Sequence, residues 1–585
     1  MCGIFGYIGK KQAIPFLING LEKLDYRGYD SIGVCLSYNN ELVSYKGEGK
    51  ISDHKNNPEL KEMAGTLGIA HTRWATHGKP SKVNSHPHFD CQKKIAVVHN
   101  GIIENHQELR LTLEQKGHQF ISQTDTEVIP HLIEEYYKGD MKQAILKAME
   151  QLKGSYALAI VSSYDQKIFA VKNGSPLLVA TAPGGLFIAS DSLAMKDIAD
   201  EVIYLQDNEI AELDFVNISL QTFLGDRIFR KAKKIEVQKA ILPKHKTESF
   251  MLKEIFEQPA VIKNILNSKI STPCLKPERI IFVACGTSYY AGLIGKIIFE
   301  NLAQIPTEVS YASEFRYSQP LIKKSDLVIA ISQSGETADT IKALELVQQK
   351  GARTFAIINV KDSTIDRMTK EKIYLQAGPE VSVAATKAFT AQISVLFKMA
   401  YQFNRMDCPI PAALLEIPNA IEQVLSQNDK IEIIAKQLMH TKNCLYLGRG
   451  VNFPVALEGA LKLKEVSYIH AEAYPAGEMK HGPLALIDEN TPAIFLATKA
   501  ATDAKVLSNM SEVKARGGNI LAIVNKGNKE AESLADYCIE VPETKEMFSS
   551  LINVIPLQLL AYHIAKLKGL NVDKPRNLAK SVTVE

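Results

Sequence analysis

The stretch Asp326-Leu-Val-Ile-Ala-Ile331, followed by Ser332-Gln-Ser-Gly-Glu-Thr337, indicates the fold of the second half of the chain. A short apolar run leads through a turn of small polar residues into a helix-like segment that ends near Gly351. The same order recurs where Arg279–Ala284 leads through Cys285-Gly-Thr-Ser288 into another predicted helix. Fully apolar strands that alternate with helices are typical of a parallel sheet covered on both faces. We therefore predict an α/β fold for this half.

This half also repeats itself. Three pairs of markers recur at offsets of 164 to 166 residues, namely Gly286 and Gly450, Ser332 and Thr498, and Asn359 and Asn525. Chance similarity between two sheets of the same class is the alternative. The nearly constant offset favours two tandem, doubly wound copies of one domain, at residues 265–410 and 435–575.

The loop Ser332–Thr337 has the character of an anion site. It lies between a predicted buried strand and a helix N-terminus, where hydroxyl groups and free N–H groups meet the positive end of the helix dipole. It lacks the lysine of a P-loop, and Gly448-Arg-Gly450 supplies only two of the three glycines of a dinucleotide fingerprint. A serine-rich helix cap is the alternative. We predict that the loop binds a phosphate or similar anion, with Ser288 as a further donor.

A second group of polar residues lies further along the chain. Lys462 and Glu465 are three residues apart and would share one face of a helix, and His481 follows nearby. A surface ion pair is the simpler interpretation, but a carboxylate beside a lysine also suits proton transfer next to a carbonyl group.

The N-terminus offers a candidate nucleophile. Methionine is usually removed before a small residue, which would leave Cys2 with a free α-amine as its own base. An inert cysteine that happens to come second is the alternative. Further along, Asn100 and Gly101 follow an apolar strand and offer an amide and an N–H group to an oxyanion. His77, His86 and His88 lack a cysteine or carboxylate at ligand spacing, so we predict no metal there.

The boundary between the halves falls near residue 240. Short β-branched runs from Gly154 onward predict an antiparallel sheet in the first half. The segment Arg230–Lys246 carries six lysines and Pro243, which indicates an interdomain connection rather than a polyanion site. The expected first domain is therefore 2–240, with a linker at 241–264 and a C-terminal tail at 576–585.

Composition excludes several classes of protein. The 585 residues carry 68 Lys and Arg against 65 Asp and Glu, a net charge of +3 that gives no reason to expect nucleic acid. No uninterrupted apolar stretch reaches the roughly 20 residues that span a bilayer, and the N-terminus does not resemble a signal peptide. The 8 cysteines are scattered without a CxxC pair. We expect a cytoplasmic protein without a membrane partner. The single tryptophan is Trp74.

Longer motifs resemble known families over nearly the whole chain. The first half resembles the glutaminase domain of the N-terminal-nucleophile amidotransferases through MCGIFGYIG, LDYRGYDS, HTRWATHG, VVHNGIIENH and TDTE. The second half resembles paired sugar isomerase domains through SQSGETADT, ATKAFT, ALEGALKLKE, GEMKHGPLALI and PRNLAKSVTVE. Together they resemble the isomerizing glutamine–fructose-6-phosphate aminotransferase family. The resemblance implies an αββα sandwich followed by the two parallel-sheet domains.

The resemblance also implies residue roles. In the first half, Cys2 would attack the side-chain amide of L-glutamine, Asn100 and Gly101 would stabilise the oxyanion, and Arg73 and Asp125 would hold the amino-acid end. The other residues of the implied glutamine site are Trp74, Thr76 and His77, and Trp74 would gate an internal passage for ammonia. In the second half the sugar phosphate of fructose 6-phosphate would be bound by Thr287, Ser288, Ser332, Gln333, Ser334 and Thr337.

The chemistry of the sugar would fall to four groups. The resemblance implies that Lys580 forms a Schiff base, that Glu465 moves a proton with Lys462 beside it, and that His481 assists ring opening. In the family this histidine comes from a neighbouring subunit, so a homodimer with a shared site is expected. No metal or organic cofactor is implied. Ala385 stands where the family commonly has serine, which puts one sugar-hydroxyl contact in doubt.

Two other functions remain open at this point. A non-catalytic sugar-phosphate sensor would need a DNA-binding module, and the sequence has no helix-turn-helix or zinc-finger pattern. An amidotransferase acting on a phosphoribosyl substrate would not need the isomerase repeat.

Overall fold

The computed structural model describes residues 2–235, 248–273, 276–404 and 410–583. The chain divides into two compact units. One unit comprises residues 1–237 with 581–585, and the other comprises residues 238–580.

The described residues of the first unit form two antiparallel sheets. In spatial order the strands of one sheet are Lys233–Lys234, Glu201–Tyr204, Leu178–Ala182, Gly185–Ala189, Gly3–Gly9, Leu67–Arg73, Ser31–Tyr38 and Glu41–Glu48. Those of the other are Arg227–Ile228, Ile218–Thr222, Glu209–Leu213, Ile168–Asn173, Gly154–Ser162, Ile95–Ile103 and His88–Phe89. The helices of this unit are Ile14–Leu24, Ile51–His54, Pro58–Lys61, His106–Gln115, Val128–Tyr136, Met141–Met149 and the 3-10 turn Ser192–Met195.

Alternation along the strands sorts the side chains into layers. In Gly3–Gly9, Ile4 and Ile8 lie in the apolar cluster between the two sheets, whereas Phe5 and Tyr7 pack with the helix Ile14–Leu24 on the opposite face. On the outer face of the second sheet, Val97, Leu158 and Ile160 pack against the helices Val128–Tyr136 and Met141–Met149. The layers run helix, sheet, sheet, helix, so the αββα prediction is confirmed.

The second unit contains two five-stranded sheets whose strands are all parallel. In spatial order the first has the strands Thr307–Tyr311, Arg279–Ala284, Asp326–Ser332, Arg353–Ile358 and Glu371–Tyr374. The second has His470–Pro475, Asn443–Gly448, Ala493–Ala497, Ile520–Asn525 and Tyr537–Val541. Each sheet thus has the order 2-1-3-4-5 in its own chain sequence, which confirms the predicted pair of doubly wound domains.

Helices cover both of these sheets. Those in the described part of this unit are Phe250–Asn267, Gly286–Ile298, Phe299–Ala303 (a π-helix), Ala312–Phe315, Ala338–Gln349, Thr364–Met368, Lys387–Asn404, Ala412–Leu415, Ile417–Leu425, Asn428–Leu438, Asn452–Ser467, Asp503–Lys514, Lys529–Leu534 and Ser549–Leu567, with 3-10 turns at Ala476–His481, Pro483–Leu486 and Glu546–Phe548.

One described segment, Glu546–Leu567, is long and apolar enough to cross a membrane. Of its most apolar window, 94% is buried inside the protein. Leu551, Ile555 and Leu559 belong to the core cluster that joins the two parallel-sheet domains. This segment therefore has the surroundings of a core helix.

Part of the segment that was expected to be a linker is helical. Residues 250–264 lie in the helix Phe250–Asn267, where Met251, Ile255 and Ile262 are completely buried. Ser249 caps this helix by accepting a hydrogen bond from the N–H of Leu252 at 3.2 Å. Residues 236–247 of the linker lie outside the described residues.

Candidate active sites

Cys2 lies at the start of the strand Gly3–Gly9. This strand pairs with Leu67–Arg73 so that Gly3 is opposite Thr72, which brings Cys2 beside Trp74. The N–H of Trp74 donates to Cys2 Sγ at 3.3 Å, and the thiol lies 3.5 Å from the Trp74 carbonyl oxygen. Burial raises the pKa of the Cys2 thiol, and the nearby Arg73 charge opposes this. A base close to the sulfur is therefore needed to form the thiolate.

Asn100 faces Cys2 from the other sheet of the same unit. Its side-chain Nδ2 donates to the Cys2 carbonyl oxygen at 2.9 Å. His71 fixes this orientation, because its Nε2 lies 3.1 Å from Asn100 Oδ1 and 2.9 Å from the carbonyl oxygen of His99. Both partners only accept, so His71 carries its proton on Nε2. Burial lowers the pKa of His71 to about 3, which keeps the ring neutral.

Gly101 follows Asn100 with φ +140°. A Cβ at this position would lie 1.9 Å from the carbonyl oxygen of Ser155. Glycine is therefore required at position 101, directly after Asn100.

Arg73 and Asp125 lie around the same cysteine. One Arg73 nitrogen donates to the carbonyl oxygens of His77 and Gly78, the latter at 3.0 Å. Its other terminal nitrogen is buried without a hydrogen-bond partner among the described residues. Asp125 Oδ2 accepts from the N–H of Ile103 at 2.8 Å, while its Oδ1 lies 3.8 Å from His77 Nδ1. The buried guanidinium of Arg73 and the buried carboxylate of Asp125 can thus each form a further hydrogen bond near Cys2.

The remaining predicted residues of this site are less enclosed. Trp74 and His77 are half-buried, and Thr76 is exposed with its hydroxyl 3.3 Å from His77 Nδ1. All three follow Arg73 directly in the chain. The predicted glutamine-site residues are thus brought together within one unit.

In the loop after the strand Asp326–Ser332, the hydroxyl groups form hydrogen bonds within the loop itself. Ser332 Oγ accepts from the N–H of Gly335 at 3.0 Å and lies 3.5 Å from Thr337 Oγ1. Gly335 has φ +67°, which permits the tight turn. Thr337 immediately precedes the helix Ala338–Gln349, so the hydroxyl groups gather at a helix N-terminus. Ser334 Oγ accepts from the N–H of Glu336 at 3.2 Å. The carbonyl oxygen of Gln333 accepts from the N–H of Asn359 at 3.3 Å.

Thr287 and Ser288 begin the helix Gly286–Ile298, which follows the neighbouring strand. Ser288 Oγ accepts from Gln392 Nε2 at 2.9 Å. Thr287 Oγ1 donates to Glu458 Oε1 at 3.2 Å and accepts from Lys462 Nζ at 3.1 Å. Thr287 therefore connects the turn of the first parallel sheet to the charged residues of the second.

Three of those charged residues share one face of the helix Asn452–Ser467. The completely buried Lys462 Nζ lies 2.5 Å from Glu465 Oε2 and 3.5 Å from Glu458 Oε1. Burial alone would lower the pKa of Lys462, but the two carboxylates raise it above its usual value. Burial, with the Glu465 charge, raises the pKa of Glu458 to about 8 despite Lys462. Lys462 thus remains charged, and its closest partner is Glu465.

Lys580 reaches the same electrostatic network from the tail. Its Nζ lies 2.6 Å from Oε2 of Glu380, with the two side chains 6% and 0% exposed. The other Glu380 oxygen accepts from the N–H groups of Thr386 and Ala388, each at 3.0 Å. Burial alone would raise the pKa of Glu380, but Lys580 and these N–H groups lower it. Glu380 also acts on Lys462 through space.

His481 stands apart from these groups. It is exposed at the end of the short 3-10 turn Ala476–His481. In the part of the chain that the structure describes, no hydrogen bond or ion pair joins it to Glu465, Lys462 or Lys580.

Comparisons with known proteins agree with this division of the chain. A model of the SIS domain matches residues 275–400 and 437–567, and a model of a glutamine amidotransferase domain matches residues 71–197. The glutamine–fructose-6-phosphate aminotransferases (isomerizing) of Bacteroides thetaiotaomicron and Aquifex aeolicus are 48% and 46% identical to this chain, with 100% of both chains covered in each case. The chain belongs to this family. The solved C-terminal domain of the family member from Francisella tularensis is 36% identical, with a TM-score of 0.53, and its match covers 56% of this chain and 98% of that one.

Several residues that contact the predicted site residues are not indicated by local sequence patterns. His71, Glu380 and Gln392 act on predicted site residues from distant parts of the chain, and no local pattern indicates such partners. Glu458 could have been found, because Glu458, Lys462 and Glu465 have the spacing of one helical face.

Proposed function

We propose that the chain converts fructose 6-phosphate and L-glutamine to glucosamine 6-phosphate and L-glutamate. One observation carries this proposal. A single chain, similar over its full length to glutamine–fructose-6-phosphate aminotransferases, holds both Cys2 with an amide donor on its carbonyl oxygen and a buried lysine between two carboxylates.

In the first unit, Cys2 is the nucleophile. Its sulfur forms a bond to the side-chain amide carbon of glutamine, and the α-amine of Cys2, freed by removal of Met1, takes the thiol proton. That proton then leaves with the departing ammonia, and water hydrolyses the thioester to glutamate. The side chain of Asn100 and the N–H of Gly101 stabilise the oxyanion, and the contact of Asn100 Nδ2 with the Cys2 carbonyl oxygen supports this role.

The amino-acid end of glutamine has matching charges nearby. The α-carboxylate binds the free terminal nitrogen of Arg73, and the α-ammonium binds Asp125. Trp74, Thr76 and His77 complete this site. Ammonia passes to the sugar inside the protein, with Trp74 controlling its release, so that it reaches the sugar unprotonated.

In the second unit, hydroxyl groups at two helix N-termini bind the phosphate of the sugar. These are Thr287, Ser288, Ser332, Ser334 and Thr337, together with Gln333. Lys580 forms a Schiff base with the sugar carbonyl and releases water. Ammonia then adds to C2 and displaces the Lys580 amine, which leaves an imine of ammonia at C2. Glu465 moves a proton from C1 to C2 while the C1 hydroxyl proton passes to the nitrogen, so that C1 becomes the aldehyde of the amino sugar, and Lys462 holds the Glu465 carboxylate in place.

Assembly completes the second site. The chain forms a homodimer in which the partner subunit's His481 assists ring opening, and the exposed position of this residue supports that arrangement. We assign the glutaminase domain to 2–240 and the isomerase domains to 265–410 and 435–575, with the tail 576–585 carrying Lys580. The enzyme acts in the cytoplasm.

Labelled substrate tests the whole proposal. Glutamine carrying ¹⁵N in its amide, incubated with fructose 6-phosphate and enzyme, should give labelled glucosamine 6-phosphate by mass spectrometry. Cys2→Ala should lose this product but still form the amino sugar from added ammonia. Label that appears only as free ammonia, with no amino sugar from either nitrogen source, would refute the proposed reaction.

A further inference from the structure

A cluster of four metal-ligand side chains lies in the first unit, and the proposed reaction does not use it. Cys91, His118, His131 and Glu134 each offer one ligand atom, and these atoms all lie within 4.8 Å of one another. Cys91 follows the strand His88–Phe89, while His131 and Glu134 are three residues apart on the helix Val128–Tyr136.

The separations match those of a tetrahedral zinc centre. Cys91 Sγ lies 3.6 Å from His118 Nδ1 and 3.5 Å from His131 Nδ1. Glu134 Oε2 lies 3.0 Å from His118 Nδ1 and 3.4 Å from His131 Nδ1. With Zn–S and Zn–N bonds of about 2.3 Å and about 2.05 Å, such a centre separates sulfur from nitrogen by about 3.6 Å and nitrogen from oxygen by about 3.3 Å.

Hydrogen bonding accounts for this arrangement less well. Each Nδ1 atom faces both the sulfur and the same carboxylate oxygen, but an N–H group points in only one direction. The four atoms all lie within 4.8 Å of one another, which is close enough for them to share one cation. We propose that Cys91, His118, His131 and Glu134 bind one zinc ion.

The ligand chemistry selects this metal and balances its charge. Thiolate and imidazole together favour zinc over calcium or magnesium. Binding releases the Cys91 thiol proton, so one thiolate, one carboxylate and two neutral imidazoles meet Zn²⁺ with no net charge. Around this shell, the N–H of Cys91 donates to Glu134 Oε2 at 3.2 Å, and His118 Nε2 lies 3.3 Å from Glu135 Oε2. A carboxylate on the far nitrogen of a ligand histidine is a common second shell.

Four protein ligands make this a structural site rather than a catalytic one. The zinc would fasten the turn at Cys91 to the helix Val128–Tyr136 and to His118, which follows the helix His106–Gln115. His118 and His131 also bracket Asp125 in the chain. The metal therefore holds both ends of the segment that carries this carboxylate.

Zinc alone is the probe for this site. The full-length protein is stripped with a chelator, dialysed and titrated with zinc chloride, and bound metal is measured by elemental mass spectrometry and calorimetry. Wild type should bind one equivalent with a rise in Tm, and Cys91→Ser and His131→Ala should each lose that equivalent. The matched controls Cys538→Ser and His470→Ala change the same residue types in the second unit and should keep it.

Cobalt gives an independent readout of the ligands. Tetrahedral Co²⁺ in the wild-type site should show a thiolate charge-transfer band that Cys91→Ser lacks. A far-UV circular dichroism spectrum that matches wild type would show that each variant is folded. The proposal is overturned if wild type binds no zinc under these conditions, or if Cys2→Ser removes the bound zinc while Cys91→Ser does not.

Discussion

Replacing Glu380 by glutamine should release the C-terminal tail from the second unit. The oxygen of the glutamine side chain can still accept from the N–H groups of Thr386 and Ala388. The NH₂ group of that side chain, however, would face the Lys580 ammonium, so that two donors would meet without an acceptor. The side chains of Glu380 and Lys580 are 0% and 6% exposed, so solvent cannot replace the lost partner. Breaking a buried ion pair by removing one member costs about 3–5 kcal/mol. At about 1.4 kcal/mol for each factor of ten, local opening of the tail should rise by roughly 100- to 4,000-fold.

Hydrogen exchange of the tail measures this opening. The N–H of Arg576 donates to the Tyr468 hydroxyl at 2.7 Å and reports on the docked tail. Its protection should fall in Glu380→Gln and in Lys580→Met, and the double variant should lose less than the two single variants together, with a coupling of about 0.5–3 kcal/mol.

An exposed ion pair in the same unit gives the control. Lys499 and Glu543 lie 2.6 Å apart with side chains 67% and 59% exposed, so Glu543→Gln should leave the tail unchanged. Strictly additive effects of the two tail substitutions, or equal protection in Glu380→Gln and wild type, would refute the reasoning.

Three further changes follow from the geometry. Burial, with the Glu380 charge, raises the pKa of Glu254 to about 8, so the folded state holds a proton that the unfolded state releases from pH ~4.5 upward. Stability should therefore fall between about pH 5 and about pH 8, by up to about 1.4 kcal/mol per pH unit from this group, and Glu254→Gln should flatten the profile of Tm against pH; an unchanged profile would count against the raised pKa. Gly101→Ala places a Cβ 1.9 Å from the Ser155 carbonyl oxygen, so glutamine-dependent turnover should fall by about 10²-fold or more while ammonia-dependent synthesis persists, and equal loss of both would contradict an oxyanion role. Trp74→Ala should leave glutamine hydrolysis largely intact but lower the ratio of amino sugar to glutamate, and an unchanged ratio would return Trp74 to a packing role.

The sequence predicts features that depend on near neighbours. The apolar run before Ser332 indicates a buried strand, and the spacing of Lys462 and Glu465 indicates their contact on one helix face. Both inferences need only the period of the local structure. The repeat offset extends this to whole domains, because two copies of one fold place equivalent turns at equivalent positions.

Contacts between distant segments could not be predicted in this way. His71 orients Asn100 from a strand of the other sheet, and Glu380 meets Lys580 across 200 residues of chain. Cys91 and His131 are 40 residues apart and lack the close spacing of a zinc motif. In each case the tertiary fold, and not a local sequence pattern, brings the two residues into contact.

The two parallel-sheet copies differ at the turn that follows their third strand. In the first copy, Ser332 turns its hydroxyl into a loop at a helix N-terminus. Its counterpart Thr498 accepts hydrogen bonds from Asn452 Nδ2 at 3.1 Å and Asn553 Nδ2 at 2.9 Å, and all three side chains are buried. In the second copy this position is thus packed against the core helix Ser549–Leu567. Grafting the loop Ser332–Thr337 onto it would not create a second binding pocket unless Asn452 and Asn553 were also made smaller.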